Sequence, residues 1–158
     1  MMKKIVMMML VLASMSVKVN AQWFVSGNAG IGYLADRFQM KLLPAAGYEF
    51  NDRWAVGFGL GMGVQRDYVF GIVAPYVRFN CWNNGKLFVD VKAKGDVAFN
   101  DALVADIGFA PSLRFAINDH WQVGGDFGLI GAQDADGDWS PAFGFTASGV
   151  DVSVIYRF

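Results

Sequence analysis

Four short segments of the chain repeat one pattern, in which a charged residue stands between two apolar residues and the last residue is Phe. The segments are Tyr48–Phe50, Val77–Phe79, Leu113–Phe115 and Tyr156–Phe158. In a strand, this pattern places the charge on one face and its neighbours on the other. The intervals between the repeats, roughly 30 to 40 residues, suit a strand-turn-strand-loop unit used four times. The pattern therefore predicts an eight-stranded antiparallel barrel.

Alternation of large and small residues is clearest between Trp54 and Val64. The even-numbered positions are large and apolar, whereas the odd-numbered positions from Ala55 to Gly63 hold only alanine or glycine. A period of two residues is typical of a strand whose two faces meet different surroundings. Similar alternation runs through seven further segments, so the fold is expected to be all-β with an up-and-down strand order.

Turns and irregular positions divide these strands. Asn51–Arg53 and Asn118–His120 open closely matching sequences, and Asn84–Gly85 marks a third short turn. Because proline removes a ladder donor, the four prolines in even-numbered strands are predicted to lie near the barrel rim. They are Pro44, Pro75, Pro111 and Pro141. A change of phase in the last strand predicts a bulge near Ser148 and Gly149.

The first 21 residues have the pattern of a cleavable secretory signal. Two lysines precede the apolar stretch Ile5–Met15, which is too short to cross a bilayer as a helix, and the small-residue site Val19–Ala21 follows. We expect a signal peptide over residues 1–21 and one domain over residues 22–158.

Charge and cysteine content exclude some classes of partner. Removal of residues 1–21 takes away three of the 13 basic residues and none of the 14 acidic residues, which leaves a net charge of about −4 and argues against nucleic acid. The single cysteine, Cys81, has no partner for an intramolecular disulfide. Hydrophobic residues make up 54% of the chain and charged residues only 17%, which is a poor composition for a surface in water.

Which face of the sheet is outside decides between two kinds of barrel. A soluble, lipocalin-like barrel that binds a small apolar ligand is apolar inside and clothes its exterior in charged residues. Here the polar face holds many glycines and few charges, and Glu49 is the only glutamate. Small residues with a few charges of both signs are typical of a narrow barrel interior, so the polar face is expected to point inward. The apolar face then points outward and is in contact with lipid.

Aromatic residues recur at the strand ends that border the short turns. Such a ring is typical of the boundary between a membrane and water. Its predicted members are Trp23, Phe50, Trp54, Phe79, Phe115, Trp121 and Phe158.

The signal, the eight alternating strands, the short turns and the terminal strand Val150–Phe158 resemble small outer-membrane β-barrel proteins of the OmpA/OmpX type. The resemblance implies a transmembrane barrel in the outer membrane of a Gram-negative cell envelope, surrounded by outer-membrane lipid. It also implies that the barrel-assembly machinery reads the terminal strand as a sorting signal. That signal would be carried by Val152, Val154, Tyr156 and Phe158. In contrast to larger members, this chain is expected to have neither a periplasmic domain nor long surface loops, which argues against tethering and adhesive roles.

The interior of an eight-stranded barrel is narrow enough for side chains to fill. Five acids and five bases are predicted to point inward, and buried charges need partners, so we expect a salt-bridged plug rather than a channel. They are Glu49, Arg78, Asp90, Lys92, Lys94, Asp106, Arg114, Asp126, Asp151 and Arg157. Glu49 and the arginines of the repeat are expected at one depth, near the turns.

Candidate catalytic or metal-binding residues are few. His120 is the only histidine and falls in a predicted turn without a serine nucleophile nearby. His120 and Cys81 alone do not supply a closed metal site. The acidic stretch Asp134–Asp138 has part of the spacing of a calcium loop, but its glycine comes too early and no glutamate follows. We therefore expect no enzyme, cofactor or metal site; whether the acidic loop binds calcium stays open.

The sequence thus predicts an integral outer-membrane barrel with a structural or surface-interaction role and a filled interior. Three alternatives stay open: the soluble ligand-binding barrel, a narrow pore and a lipid-modifying barrel enzyme. The surface ligand, the physiological partner and the oligomeric state do not follow from the residues.

Overall fold

The computed structural model describes residues 22–34, 37–99, 103–135, 137–144 and 149–158. The predicted signal peptide, residues 1–21, lies outside these ranges, as do Asp136 of the acidic loop and Ser148 of the predicted bulge. The described residues include no helix with the length and apolar character needed to cross a membrane.

Ten strand segments make up the described chain, and they form one antiparallel sheet. They are β1 (Gln22–Leu34), β2 (Arg37–Glu49), β3 (Trp54–Gln65), β4 (Tyr68–Asn83), β5 (Leu87–Phe99), β6 (Leu103–Ala116), β7 (Trp121–Phe127), β8 (Leu129–Ala135), β9 (Asp138–Gly144) and β10 (Val150–Arg157).

The sheet closes into a barrel of eight strand positions. Strands β1 to β6 pair in chain order, and β1 also pairs with β10. β7 and β8 both pair with β6 and together form the seventh strand, which is interrupted at Gly128. β9 pairs with β8 and β10 pairs with β7, so these two segments share the eighth position. The predicted all-β, eight-stranded, up-and-down barrel is confirmed.

The interruption in the last two strands has a local cause. Phe127 pairs with Val150, whereas Leu129 pairs with Gly144. One position in the chain therefore separates the two paired residues on one side, and five positions separate their partners. The N–H of Gly128 donates to the carbonyl of Gly149 at 2.8 Å. Both glycines have positive φ, 79° and 53°, which glycine adopts without strain. The bulge therefore involves Gly128 as well as the predicted Gly149.

Three turns at one end of the barrel share one construction. The side-chain oxygen of Asn51 accepts hydrogen bonds from the backbone N–H groups two and three residues later, at 2.8 and 2.9 Å. Asn84 and Asn118 do the same. An asparagine that bonds its own downstream backbone stabilises a tight turn. We call this end of the barrel the turn end and the opposite end the loop end.

Prolines interrupt the hydrogen-bond ladder on one side of their strands. The β2–β3 ladder skips Leu43 and Pro44, and the β4–β5 ladder skips Ala74 and Pro75. Pro111 lies in β6 opposite the break between β7 and β8. Proline has no N–H to donate, so it is tolerated at positions where the neighbouring strand forms no ladder hydrogen bond with it. The predicted rim position is wrong for Pro44, Pro75 and Pro111, which lie in the middle of β2, β4 and β6.

The apolar face of the sheet is outside and the polar face is inside. Phe58 is 48% exposed and Val152 is 62% exposed on the outer face. Lys92 and Arg114, in contrast, are 7% and 4% exposed. The face assignment that the alternation predicts is therefore confirmed, and it is the reverse of the usual distribution in a water-soluble protein.

The bare inner face of β3 makes room for large side chains from its neighbours. A Cβ atom at Gly57 would overlap the ring of Tyr76, and one at Gly63 would overlap the ring of Phe70. These rings extend inward from β4, the strand beside β3. The alternate glycines of β3 therefore allow the barrel interior to be filled from one side.

Candidate functional site: the charged barrel interior

A cluster of five charged residues fills the turn end of the interior, and we call it the turn-end cluster. Glu49 pairs with Arg78 and with Arg157, and it lies 3.8 Å from Nη1 of Arg114. Arg114 also donates from Nη2 to Asp90 at 3.2 Å. Three strands thus send a guanidinium toward one carboxylate, and the expected common depth of these repeat positions agrees with the geometry.

Uncharged groups complete the bonding of the turn-end cluster. Asn80 donates to the carboxylate of Asp90 at 2.7 Å. Gln122, from β7, accepts from Nη1 of Arg114 at 2.6 Å. The guanidinium of Arg114 also lies over the ring of Phe88, 4.7 Å from its centre. Such partners offset part of the cost of removing the charges from water.

One ion pair occupies the middle of the barrel. The Nζ atom of Lys92 lies 2.7 and 3.0 Å from the two carboxylate oxygens of Asp126. The same ammonium lies 5.2 Å from the centre of the Tyr76 ring. Both partners are buried, so each charge depends on the other for compensation.

A second cluster of five residues lies toward the loop end. Lys41 is 3.4 Å from Asp96 and 3.2 Å from Asp151, and Lys94 reaches the same two carboxylates at 3.8 and 3.6 Å. Asp106 accepts a hydrogen bond from the backbone N–H of Asp96 at 3.2 Å. The two clusters and the central pair together hold six acids and six bases, so the interior charges of the described residues balance.

The interior therefore contains all ten charged residues predicted from the sequence, and two more. Lys41 and Asp96 were missed, although the signal was available. Lys41 has the same parity in β2 as Glu49, and Asp96 has the same parity in β5 as Asp90. Extending the two-residue period along the whole length of each strand finds both.

Apolar side chains share the interior with the charges. One buried cluster toward the loop end consists of Leu43, Phe70, Ile72 and Ala74. A cavity of about 20 Å³ is lined by Phe70 and Ile72 of this cluster and by Lys41, Asp96 and Asp106 of the second charged cluster, and it has room for about one water molecule. This part of the interior is filled by side chains.

A larger cavity opens at the turn end, and we call it the vestibule. Its volume is about 720 Å³. Glu49, Arg78, Arg114 and Arg157 line its inner part, and the three asparagine turns surround its mouth. No pattern in the sequence indicates this cavity, because it arises from the way the turns stand around the barrel end.

His120 and Cys81 have structural surroundings. His120 Nδ1 lies 2.9 Å from the backbone carbonyl of Arg157, and its ring stacks on Tyr156 with ring centres 5.8 Å apart. Cys81 is exposed and lies where the register of β4 and β5 shifts. Across the described ranges, no three His, Cys, Asp or Glu residues come together as a metal site.

Aromatic residues form a band around the outside of the turn end. Trp54 pairs across strands with Phe79, with ring centres 4.7 Å apart. Tyr156 contacts both Trp121 and Phe158 edge-on, at 4.9 and 5.3 Å. Six of the seven predicted ring residues are exposed, and Phe79 is half-buried. Tyr156 and Phe158 belong to this band. They also belong to the outward row of the terminal strand, which consists of Val152, Val154, Tyr156 and Phe158.

Comparison with known proteins gave no assignment for this arrangement. A scan against protein-family models found no match, and a search of curated proteins also found none.

Proposed function

We propose that the chain is an integral outer-membrane β-barrel protein with a structural or surface-interaction role and no catalytic activity. The observation that carries this proposal is the outward position of the large apolar side chains around a closed barrel. A soluble monomer rarely exposes a continuous apolar patch of more than a few hundred Å². In a bilayer the same surface is in contact with acyl chains, and closure leaves no unpaired strand edge.

The height of the apolar surface supports this location. Between Trp54 and Val64, β3 rises about 33 Å at about 3.3 Å per residue. With a strand tilt near 40°, this corresponds to about 25 Å along the barrel axis, which is the usual height of the apolar band of a membrane barrel. Trp54 belongs to the aromatic band at the turn end, and such a band suits the interface.

The filled interior supports a role without conduction. Two ionic clusters with an ion pair between them occupy the interior, and an apolar cluster shares its loop-end part. Recording of single channels in planar bilayers tests this part of the proposal. We expect no sustained open conductance; a steady conductance would instead favour the narrow pore.

The location is tested by fractionation and by heat-modifiable migration on gels. We expect the protein to stay in carbonate-washed membranes and to migrate differently before and after boiling. Release into the wash would favour the soluble ligand-binding barrel. For the alternative of a lipid-modifying enzyme, wild type and His120→Ala are compared on lipid extracts, and we expect neither to change them.

We also propose that Val152, Val154, Tyr156 and Phe158 form the sorting signal read during membrane insertion. Their outward row leaves these side chains accessible from outside the barrel wall. We expect Phe158→Ala to lower insertion in cells more than it lowers refolding of the purified chain in detergent. An equal loss in both assays would indicate a contribution to stability alone.

A further inference from the structure

The vestibule at the turn end has the size and lining of a binding site. Its volume of about 720 Å³ falls in the range of sites for small molecules. Polar groups from five strands and three turns surround it, and its inner part is formed by the turn-end cluster. The fold alone defines this cavity, so binding of a ligand there does not depend on the membrane location.

Hydrogen-bond donors exceed acceptors in the turn-end cluster. Three guanidiniums, from Arg78, Arg114 and Arg157, share the two carboxylates of Glu49 and Asp90. A guanidinium offers five N–H donors and no acceptor. The cluster therefore holds one more positive charge than negative charge, at the inner surface of an open cavity.

Arg78 has donors to spare. It is 3% exposed and lines the vestibule. Within the described part of the chain, its side chain donates one hydrogen bond, from Nη2 to Glu49. The ring of Phe24 lies under its guanidinium, with 5.2 Å between the ring centre and Cζ. An arginine held in this way presents a fixed planar group to a ligand.

Gln122 supplies a second, independent sign of missing acceptors. It is 0% exposed, and its Nε2 has no hydrogen-bond partner among the described residues. Arg114 has only donors, so Oε1 of Gln122 must face Arg114 and the amide nitrogen must face elsewhere. A buried donor without a partner is unfavourable. Gln122 is not among the residues that line the vestibule, so its unpaired amide nitrogen indicates a shortage of acceptors around Arg114 and not a direct contact with a ligand.

The mouth of the vestibule carries charges of both signs. Asp52 and Asp119 line it at the turns, together with Arg53 and His120. The surplus of positive charge lies at the inner end, where three guanidiniums face two carboxylates, so a small anion that reaches this end is attracted there. Phosphate and carboxylate groups match the planar fork of arginine.

We propose that the vestibule binds a small oxyanion, a phosphate or carboxylate group, on Arg78, Arg114 and Arg157. The oxyanion supplies the negative charge that the cluster lacks. The group is carried either by a free solute or by a lipid headgroup.

Inorganic phosphate is the first probe. It is titrated at constant ionic strength into the full chain refolded in detergent, while the arginine Nε–H signals are followed by NMR. We expect saturable shifts of the Arg78, Arg114 and Arg157 signals at millimolar phosphate. A parallel titration with short-chain phosphatidylglycerol separates the two sources, since shifts with that lipid alone assign the site to a headgroup. No saturable shift with either probe overturns the proposal.

The Gln122→Glu variant tests the charge argument. It keeps the size of the side chain and places a carboxylate beside Arg114, so it supplies the missing negative charge from within. We expect the affinity for the bound probe to fall at least about tenfold, because the ligand then meets a like charge in a site of low dielectric. An unchanged affinity overturns the proposal.

Gln133→Glu is the matched control. Gln133 also has an Nε2 without a partner in the described chain, but it lies on β8, where it pairs with Ser140 and Asp106. Gln122, in contrast, is hydrogen-bonded to Arg114 of the vestibule lining. We expect the control variant to bind the probe with the affinity of the wild type. If both variants lose affinity equally, the proposal is overturned, because the loss then reflects the net charge of the protein and not the site. If Gln122→Glu does not refold, Arg157→Lys keeps the charge but loses the planar fork, and its affinity is expected to fall several-fold.

Discussion

Replacement of Leu60 by arginine separates a barrel in lipid from a barrel in water. Leu60 is an outward residue of β3 and is 56% exposed. It stands six residues beyond Trp54, which places it about 15 Å above the aromatic band at about 3.3 Å per residue and a tilt near 40°. The apolar band of a membrane barrel is about 25 Å high, so the proposed location puts Leu60 close to the middle of the bilayer.

The magnitude follows from this depth. Arginine on the lipid face costs about 2–4 kcal/mol at the midplane of a bilayer and about 0–1 kcal/mol near an interface. Val69 is 64% exposed and pairs with Val64, at the loop end of the apolar surface. We therefore expect Leu60→Arg to lower the free energy of unfolding by about 2–4 kcal/mol, and Val69→Arg by about 0–1 kcal/mol.

The assay is reversible unfolding by urea of the protein inserted in lipid vesicles. Val69→Arg is the matched control, because both residues are apolar, outward and exposed and differ mainly in depth. For a barrel with its outer face in water, substitutions at such positions change stability by only about 0.5 kcal/mol. If Leu60→Arg lies within that limit of the wild type, the argument for lipid contact is refuted.

Three further predictions concern the interior and the turns. Lys92→Met leaves Asp126 buried without its partner and is expected to lower the free energy of unfolding by about 3–5 kcal/mol. Adding Asp126→Leu should restore most of this loss. If urea titrations show no recovery in the double variant, the prediction is contradicted. Gly57→Val is expected to cost about 1–3 kcal/mol through overlap with Tyr76, and a double-mutant cycle with Tyr76→Ala should show favourable coupling, not additivity. Asn118→Ala removes two turn hydrogen bonds and is expected to cost about 0.5–1.5 kcal/mol; Asn118→Asp keeps the acceptor, so equal losses in the two variants count against the turn geometry.

The strand faces are predictable because the pattern that encodes them is local. Each strand carries its own two-residue period, and the repeat around Glu49 and Arg78 marks where the charged face begins. The same period, applied further along β2, predicts Lys41. Depth in the barrel is predictable as well, since positions at equal distance from the turns come together when the strands close.

Features that depend on two strands at once are not predictable from one of them. The change of phase in the last strand predicts a bulge near Gly149. The part that Gly128 plays in it depends on the register of two strands, since one position separates Phe127 from Leu129 whereas five separate their partners, Val150 and Gly144. Pro44 is expected at the rim because proline removes a donor, but the ladder beside it is already interrupted. The vestibule depends on how three turns surround one barrel end, which is a property of the assembled sheet.

The position of Glu49 links the bonding of its carboxylate to the last step of closure. Its carboxylate comes from β2, and its guanidinium partners come from β4, β6 and β10. Arg157, on the final segment, reaches Glu49 only after that segment has paired with β1. An intermediate with an open seam therefore holds two acids and two bases in the turn-end cluster, and Glu49 lacks the two hydrogen bonds that Arg157 donates. Completion of the seam and formation of these bonds are one event, which favours an all-or-none final docking step.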